Sequence, residues 1–218
     1  MVIENMLENI VQTAPPFTVS EDLSNNISAY SMAVLLSSKI PSYKGNVPRD
    51  IVLSVLKKLR IGLPDNIEYI PADWAKVVSA VSFSLTQMRA TIKKALIASL
   101  ADDPKDAVHL FQLTRQLAAK ANCRVTVPLC ARVALMRHVL AVVMKGDTQD
   151  KQYWDNIDSY LKQLHAAAEG NPAMLARLFE TLLKEDCEKY GKSPSFEVQG
   201  DVVDERQQLV DDVIEGVI

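Results

Sequence analysis

Glycine is scarce in this chain, with seven residues in 218. An all-β fold of this length needs many tight turns, and those turns draw on glycine for positive φ, so the shortage argues against sheets. Cysteine is equally sparse: Cys123, Cys130 and Cys187 only. An odd, unpaired set supplies no disulfide framework, and without a CxxC pair no structural zinc site is expected. The three read as reduced core residues. Histidine is limited to His109, His138 and His165, none with an HxxxH or ExxH partner, so no metal or cofactor is expected. Long apolar runs are missing as well. The longest, from Val133 to Met144, is broken by Arg137 and His138 and falls short of the ~20 residues that span a bilayer. Glu4 and Glu8 interrupt the N-terminus, and no positive residue precedes its apolar positions, so no secretory signal is read there. These absences point to a soluble intracellular protein, cytoplasmic or nuclear, that makes no use of a membrane.

The signatures of catalysis are absent too. Neither GxGxxG nor GxSxG occurs. Gly191-Lys192-Ser193 ends like a phosphate loop, but position 186 is Asp where that motif needs glycine, and no strand precedes it. Asp102-Asp103 and Asp211-Asp212 are neighbours only in sequence, and side by side such carboxylates diverge. Cys130 stands at a helix start, where the dipole lowers a thiol pKa, yet no base is assigned to it. An enzyme would need His109, His138 or Cys130 to converge with a carboxylate in one pocket. The expectation is a chain that is not an enzyme, with no catalytic, cofactor-binding or metal-binding residue.

What the chain has in plenty is helical periodicity, punctuated by caps and breakers. Val2, Ile3, Met6, Leu7, Ile10 and Val11 share one face of a helix that Pro15-Pro16 stops. Thr18 with Glu21 makes a capping box for a helix running to about Ser38. Pro48 opens a third helix, with Gly62 just past its end where a left-handed residue is wanted. Pro71 and Asp73 open a long stretch to Leu100, with a break or bend expected at Ser82-Phe83-Ser84. Asp103 and Pro104 restart a helix to about Ala121. Arg124 to Val127 alternates like a strand but is too short to found a sheet. Pro128 starts the next helix, ending near Lys145. Asp147 and Asp150 favour a start before Tyr153, and Asn171-Pro172 favours another after Gly170. Gly191 stops that last one, and an amphipathic tail helix follows Gly200. The reading is an all-α multi-helix bundle of eight or nine helices: an arm at 1–14, a core at 17–191 with any division into lobes near 100–104, and a linker with an acidic helix at 192–218.

Charge is unevenly placed. Residues 85–145 hold ten basic and three acidic side chains, whereas 146–218 hold seven basic and sixteen acidic. A concentrated positive surface binds phosphates whatever their sequence. The candidates for RNA or DNA binding are Arg89, Lys93, Lys94, Arg115, Lys120, Arg124, Arg132 and Arg137. Against this reading, basic and acidic segments of one domain can pair with each other. Arg132 and Arg137 lie about 140° apart around a helix and form no single stripe. Phe111 is the one aromatic of the segment, so no stacking platform for single strands is evident. The helices at 104–121 and 128–145 suggest a helix-turn-helix, but the connection between them is longer than that motif uses.

A short amphipathic helix is marginal alone and must bury its stripe somewhere. Ile3, Leu7 and Ile10 at one end, and Leu209 and Val213 at the other, are therefore candidates for self-association, with docking on their own chain as the alternative. The acidic tail has a further option, covering the basic segment.

The run Val127-Pro128-Leu129-Cys130-Ala131-Arg132-Val133-Ala134-Leu135-Met136-Arg137 is followed by Tyr153-Trp154-Asp155-Asn156-Ile157-Asp158, by Leu178-Phe179 and by Asp186 to Gly191. Over about 85–190 this resembles helical domains of mushroom-forming fungi. The resemblance implies a helical fold and carries over no site residue. In style, a helical core with a basic middle and end arms also resembles helical viral nucleoproteins. The functional expectation is a non-enzymatic helical scaffold that self-associates or binds a helical protein partner. A nucleoprotein-like use of the basic segment is the alternative.

Overall fold

Ser20, Thr126, Asn171 and Asp204 each accept a first-turn amide of the helix that follows, and Pro48 and Pro71 open the first turns of two others. The computed structural model describes residues 16–100, 107–145, 150–191 and 204–216. Among them are eight α-helices and no strand: α1 Glu21–Leu36, α2 Val47–Leu59, α3 Pro71–Ala98, α4 Leu110–Ala121, α5 Val127–Lys145, α6 Tyr153–Ala167, α7 Pro172–Tyr190 and α8 Glu205–Ile214. The all-α bundle read from periodicity is what the chain forms. The segment 1–14, with Ile3, Leu7 and Ile10, lies outside the described residues.

Differences from the sequence reading trace to particular hydrogen bonds and close contacts. Ser20, not Thr18, caps α1, its hydroxyl accepting the Leu23 amide at 3.2 Å. Ser20 directly precedes Glu21 and Asp22, which suit the positive end of the helix. α2 ends on Arg60 in the left-handed region, and Gly62 follows with φ +66°. A Cβ at Gly62 would press to 3.3 Å from that of Leu23, so glycine there lets the loop approach α1. Ser82-Phe83-Ser84 does not break α3. The Ser82 hydroxyl donates to the Val78 carbonyl and Thr86 Oγ1 to the Ser82 carbonyl, so these hydroxyls bond along the helix and do not compete with it. α4 begins at Leu110 rather than Pro104. Ala107–His109 is not helical, because the Val108 amide donates to the Ser99 carbonyl and the Val108 carbonyl accepts from Arg137. Asp103 and Pro104 themselves lie outside the described residues.

The helices assemble around α1, which packs against α2, α3, α4, α5 and α8. From Ser31 to Leu36 every α1 residue is buried, as in a helix enclosed on all sides. α5 and α7 form the second large contact, with α6 packed on both. Arg132 meets Phe179 and Arg137 meets Asp186, so α5 and α7 run in the same direction. One cluster of buried side chains runs from Leu23 in α1 to Val210 in α8. α8 lies on α1 and α2 of its own chain. Val210 is fully buried, Asp211 accepts from the Ser37 hydroxyl at 2.6 Å, and Leu209 and Val213 are partly buried against the same core. Among the described residues no helix is long and apolar enough to cross a membrane.

The loop between α1 and α2 is tied to α6 by one carboxylate. Asp158 accepts from the Tyr43 amide at 2.6 Å, the Lys44 amide at 3.1 Å and the Ser42 hydroxyl at 2.7 Å. Asp158→Ala is expected to lower stability by about 1.5–3 kcal/mol, the range for bonds to a charged acceptor. Urea unfolding checks this, and a loss below a few tenths of a kcal/mol would refute it.

Candidate docking groove

α5 and α7 start side by side, and their first turns leave a groove between them. Thr126 and Asn171 set those starts. Thr126 Oγ1 accepts the Leu129 amide, and Asn171 Oδ1 accepts the Ala173 and Met174 amides. Pro128 and Pro172 occupy first-turn positions where a missing N–H costs little. The groove encloses about 440 Å³, within the range of ligand pockets. Val127, Pro128 and Ala131 line it from α5, Leu175, Ala176, Phe179, Glu180 and Leu183 from α7, and Ser38 and Lys39 from the segment after α1. Leu175, Phe179 and Leu183 recur every fourth residue, a stripe on α7 that α5 only partly covers. Both helices point their positive ends into this region.

Arg132 forms part of this groove and is 2% exposed. Its Nη2 donates to the Ser38 carbonyl, and its guanidinium sits 5.0 Å from the Phe179 ring centre. The rest of its guanidinium is buried beside the Tyr43 hydroxyl, with which it interacts through charge and a side-chain hydrogen bond. Behind it, Tyr43 is wholly buried and packs on Trp154 with ring centres 5.4 Å apart. Burial pushes the Tyr43 phenol up to about 12, against the opposing pull of Arg132.

The other expected basic residues do not gather here. Arg137 is fully buried and engaged by Asp186, Val108 and Tyr190. Arg89 donates to the Tyr43 carbonyl at 2.8 Å, and Lys93 lies 5.3 Å from the Tyr153 ring centre. Lys94, Arg115, Lys120 and Arg124 are exposed. The Arg124 backbone amide donates to Asp204 at the start of α8, a bond that does not involve its guanidinium. Because Arg89 anchors a core loop, Arg89→Ala reports on folding as much as on nucleic acid. The exposed Lys94, Arg115 and Lys120 are the cleaner probes of that alternative.

Two of the candidate chemical residues also find their places. His138 shares a pocket of about 270 Å³ with Glu185, Asp186, Lys189 and Tyr190, and its Nε2 is 3.4 Å from the Tyr160 hydroxyl. Asp186 is occupied by Arg137 there, so Glu185 is the other carboxylate that shares the pocket with His138, and neither His109 nor Cys130 lines it. Cys130 is buried, and burial raises its thiol to about 11, while Cys123 is raised to about 12 for the same reason. Burial raises the Cys130 thiol in spite of the lowering hydrogen bond with Thr114, the opposite of the shift expected from a helix start. Among the described residues no group of three or more His, Cys, Asp or Glu is placed to hold a metal.

These raised values set an alkaline limit on stability. Cys123, Cys130, Tyr43 and Tyr153 are all held protonated by burial. In the unfolded chain the thiols and phenols ionise near 9.0 and 10.0, their ordinary values. Above those values the unfolded chain loses protons that the fold retains, so stability falls as pH rises from about 9 toward about 12. Denaturant midpoints measured at neutral and alkaline pH are expected to show this fall. A flat profile would contradict the burial of these groups.

Comparison with protein-family models, curated proteins and solved structures returned no match.

Proposed function

We propose that this chain is a self-associating helical scaffold whose docking surface is the groove between α5 and α7. The observation that carries the reading is the groove itself: an open, mainly apolar slot about 440 Å³ in volume between the first turns of two parallel helices. Its walls are Val, Pro, Ala, Leu and Phe, which suit an apolar helix face laid into a groove. They supply contact area, with Lys39 and Glu180 as charged groups in the same lining, which supports a reading of binding. A second copy is the occupant proposed, on the strength of the apolar stripe of helical period that the sequence carries at 2–13.

Light scattering on the full chain over a wide concentration range, with ultraviolet absorbance followed in line, tests the reading. The expected result is a concentration-dependent oligomer, free of nucleic acid and tolerant of salt, that Leu175→Asp returns to monomer. A monomer at every concentration, or an oligomer indifferent to Leu175→Asp, would overturn it. An assembly that carries nucleic acid and dissociates in salt would transfer the function to the exposed basic residues.

A further inference from the structure

We infer that the groove of one copy receives the exposed face of α3 of a second copy, with Phe83 as its anchor; this rests on the self-association reading above and names the part of the second copy that docks. Phe83 is 67% exposed and Ile97 42%. With Ala90 between them they recur every seventh residue, so they stay within about 40° of one line along the helix. From Lys76 to Lys94, about 27 Å of helix, the exposed positions are Ser79, Ser82, Phe83, Thr86, Gln87 and Ala90. None carries charge. Arg89 is turned to the Tyr43 carbonyl, and Lys93 lies over the Tyr153 ring. The exposed sides of α1, α2, α6 and α7, by contrast, carry Glu21, Lys57, Lys162 and Arg177, as helix faces turned to water do. The α3 face also loses little when covered. The Ser82 hydroxyl donates to the Val78 carbonyl at 2.8 Å and Thr86 Oγ1 to the Ser82 carbonyl at 3.0 Å, so both keep a partner once water is gone.

Its own chain cannot cover this face. Val77, Val81, Leu85 and Ile92 are buried on the opposite side of α3, and α3 packs there on α1 and α2, so Phe83 points away from its own groove. Charge favours a groove over a second α3 as the partner. The face is flanked by lysine at both ends, Lys76 and Lys94, whereas the groove lining holds Glu180, which is exposed. Lys39 of the same lining is engaged by Glu215 at 2.7 Å. Lys76 is likewise engaged by Asp73 and the Phe17 carbonyl, which leaves Lys94 to approach Glu180. A helix laid in the groove sets Phe83 on Leu175 and Phe179, and Phe179 is backed by the Arg132 guanidinium. A footprint one helix wide and about 27 Å long belongs with interfaces below about 1,200 Å² in total, which form weak complexes. Assembly is therefore expected at high protein concentration. The contact joins two different surfaces, so it closes into a pair or ring, or propagates, according to the rotation between copies.

The test is complementation between full-length variants, followed by light scattering with circular dichroism as the control for folding. Phe83→Asp spoils the α3 face and leaves the groove. Leu175→Asp does the reverse, and if it impairs folding, Ala176→Glu at an exposed groove position replaces it. Each variant alone is expected to be monomeric. An equal mixture is expected to regain assembly that stops at two chains, because one sound face meets one sound groove and the other two surfaces are spoiled. Phe83→Ala is expected to weaken wild-type assembly roughly 30-fold or more, as for a central aromatic anchor. If Leu175→Asp disrupts assembly but Phe83→Asp does not, another part of the second copy fills the groove; the inference falls and the self-association reading stands. If both variants are monomeric and the mixture stays so, the α3 face does not meet the groove, and the inference also falls. If Phe83→Asp disrupts assembly and Leu175→Asp does not, the α3 face pairs elsewhere, and both the inference and the groove reading fall. If neither variant changes assembly, both fall as well.

Discussion

Asp186→Ala is expected to lower the unfolding free energy by about 3–5 kcal/mol, the cost of orphaning one member of a buried ion pair. Arg137 is fully buried and Asp186 nearly so. Arg137 Nε donates to Asp186 Oδ2 at 2.7 Å, Nη2 donates to Oδ1, and Nη1 donates to the Val108 carbonyl at 2.6 Å. The Tyr190 ring centre lies 4.4 Å from the guanidinium carbon. Removing the carboxylate leaves a desolvated cation with one carbonyl and one ring face. For a domain of this size the loss corresponds to a fall in Tm of roughly 6–20 °C. The double variant Arg137→Met with Asp186→Leu is expected to recover most of the stability, since replacing a buried pair by apolar groups of similar volume is often neutral or better. A loss in Asp186→Ala below about 1 kcal/mol, the range of exposed pairs, would show that water reaches this site.

Arg132→Met is expected to separate stability from assembly. In the free chain the substitution gives up the bond to the Ser38 carbonyl and the stacking on Phe179. It also removes a charged group from a site that is 2% exposed, where desolvation is costly. These effects oppose each other, so the unfolding free energy should change by no more than about 1 kcal/mol. Assembly should weaken roughly 10–100-fold, the equivalent of about 1.5–3 kcal/mol for a hydrogen bond to a charged group. Arg132→Lys keeps the charge without the planar fork and is expected to fall between the two. Dissociation constants from light scattering, set beside urea unfolding of the same proteins, decide the matter. An Arg132→Met protein that assembles as well as the parent would remove Arg132 from the interface, and one that unfolds easily would make it a structural residue.

Much of the fold was legible because helix signals are local. Asn171-Pro172, Pro71 and Pro48 each begin a helix where expected, and the shortage of glycine matched the lack of strands among the described residues. The misplacements share one cause. The α4 start moved from Pro104 to Leu110 because Val108 is held by Ser99 and Arg137, partners that sequence spacing does not bring together. Arg132 and Arg137 drew notice as charges in a basic segment, and the structure turns both inward. A signal was available: α5 is apolar almost throughout, so its arginines had little chance of facing water without exposing leucine and valine.

The order and character of the helices were determined by residues within a turn or two of one another, through caps, proline and the 3.6-residue period. Which charges meet solvent was decided only by tertiary structure, because burial depends on what another helix places opposite. Asp186 and Val108 complete the shell of Arg137, while the Ser38 carbonyl meets only part of what Arg132 can donate. The groove follows from the same cause: α5 and α7 run in the same direction, and the Leu175, Phe179 and Leu183 stripe extends past what α5 covers at that end.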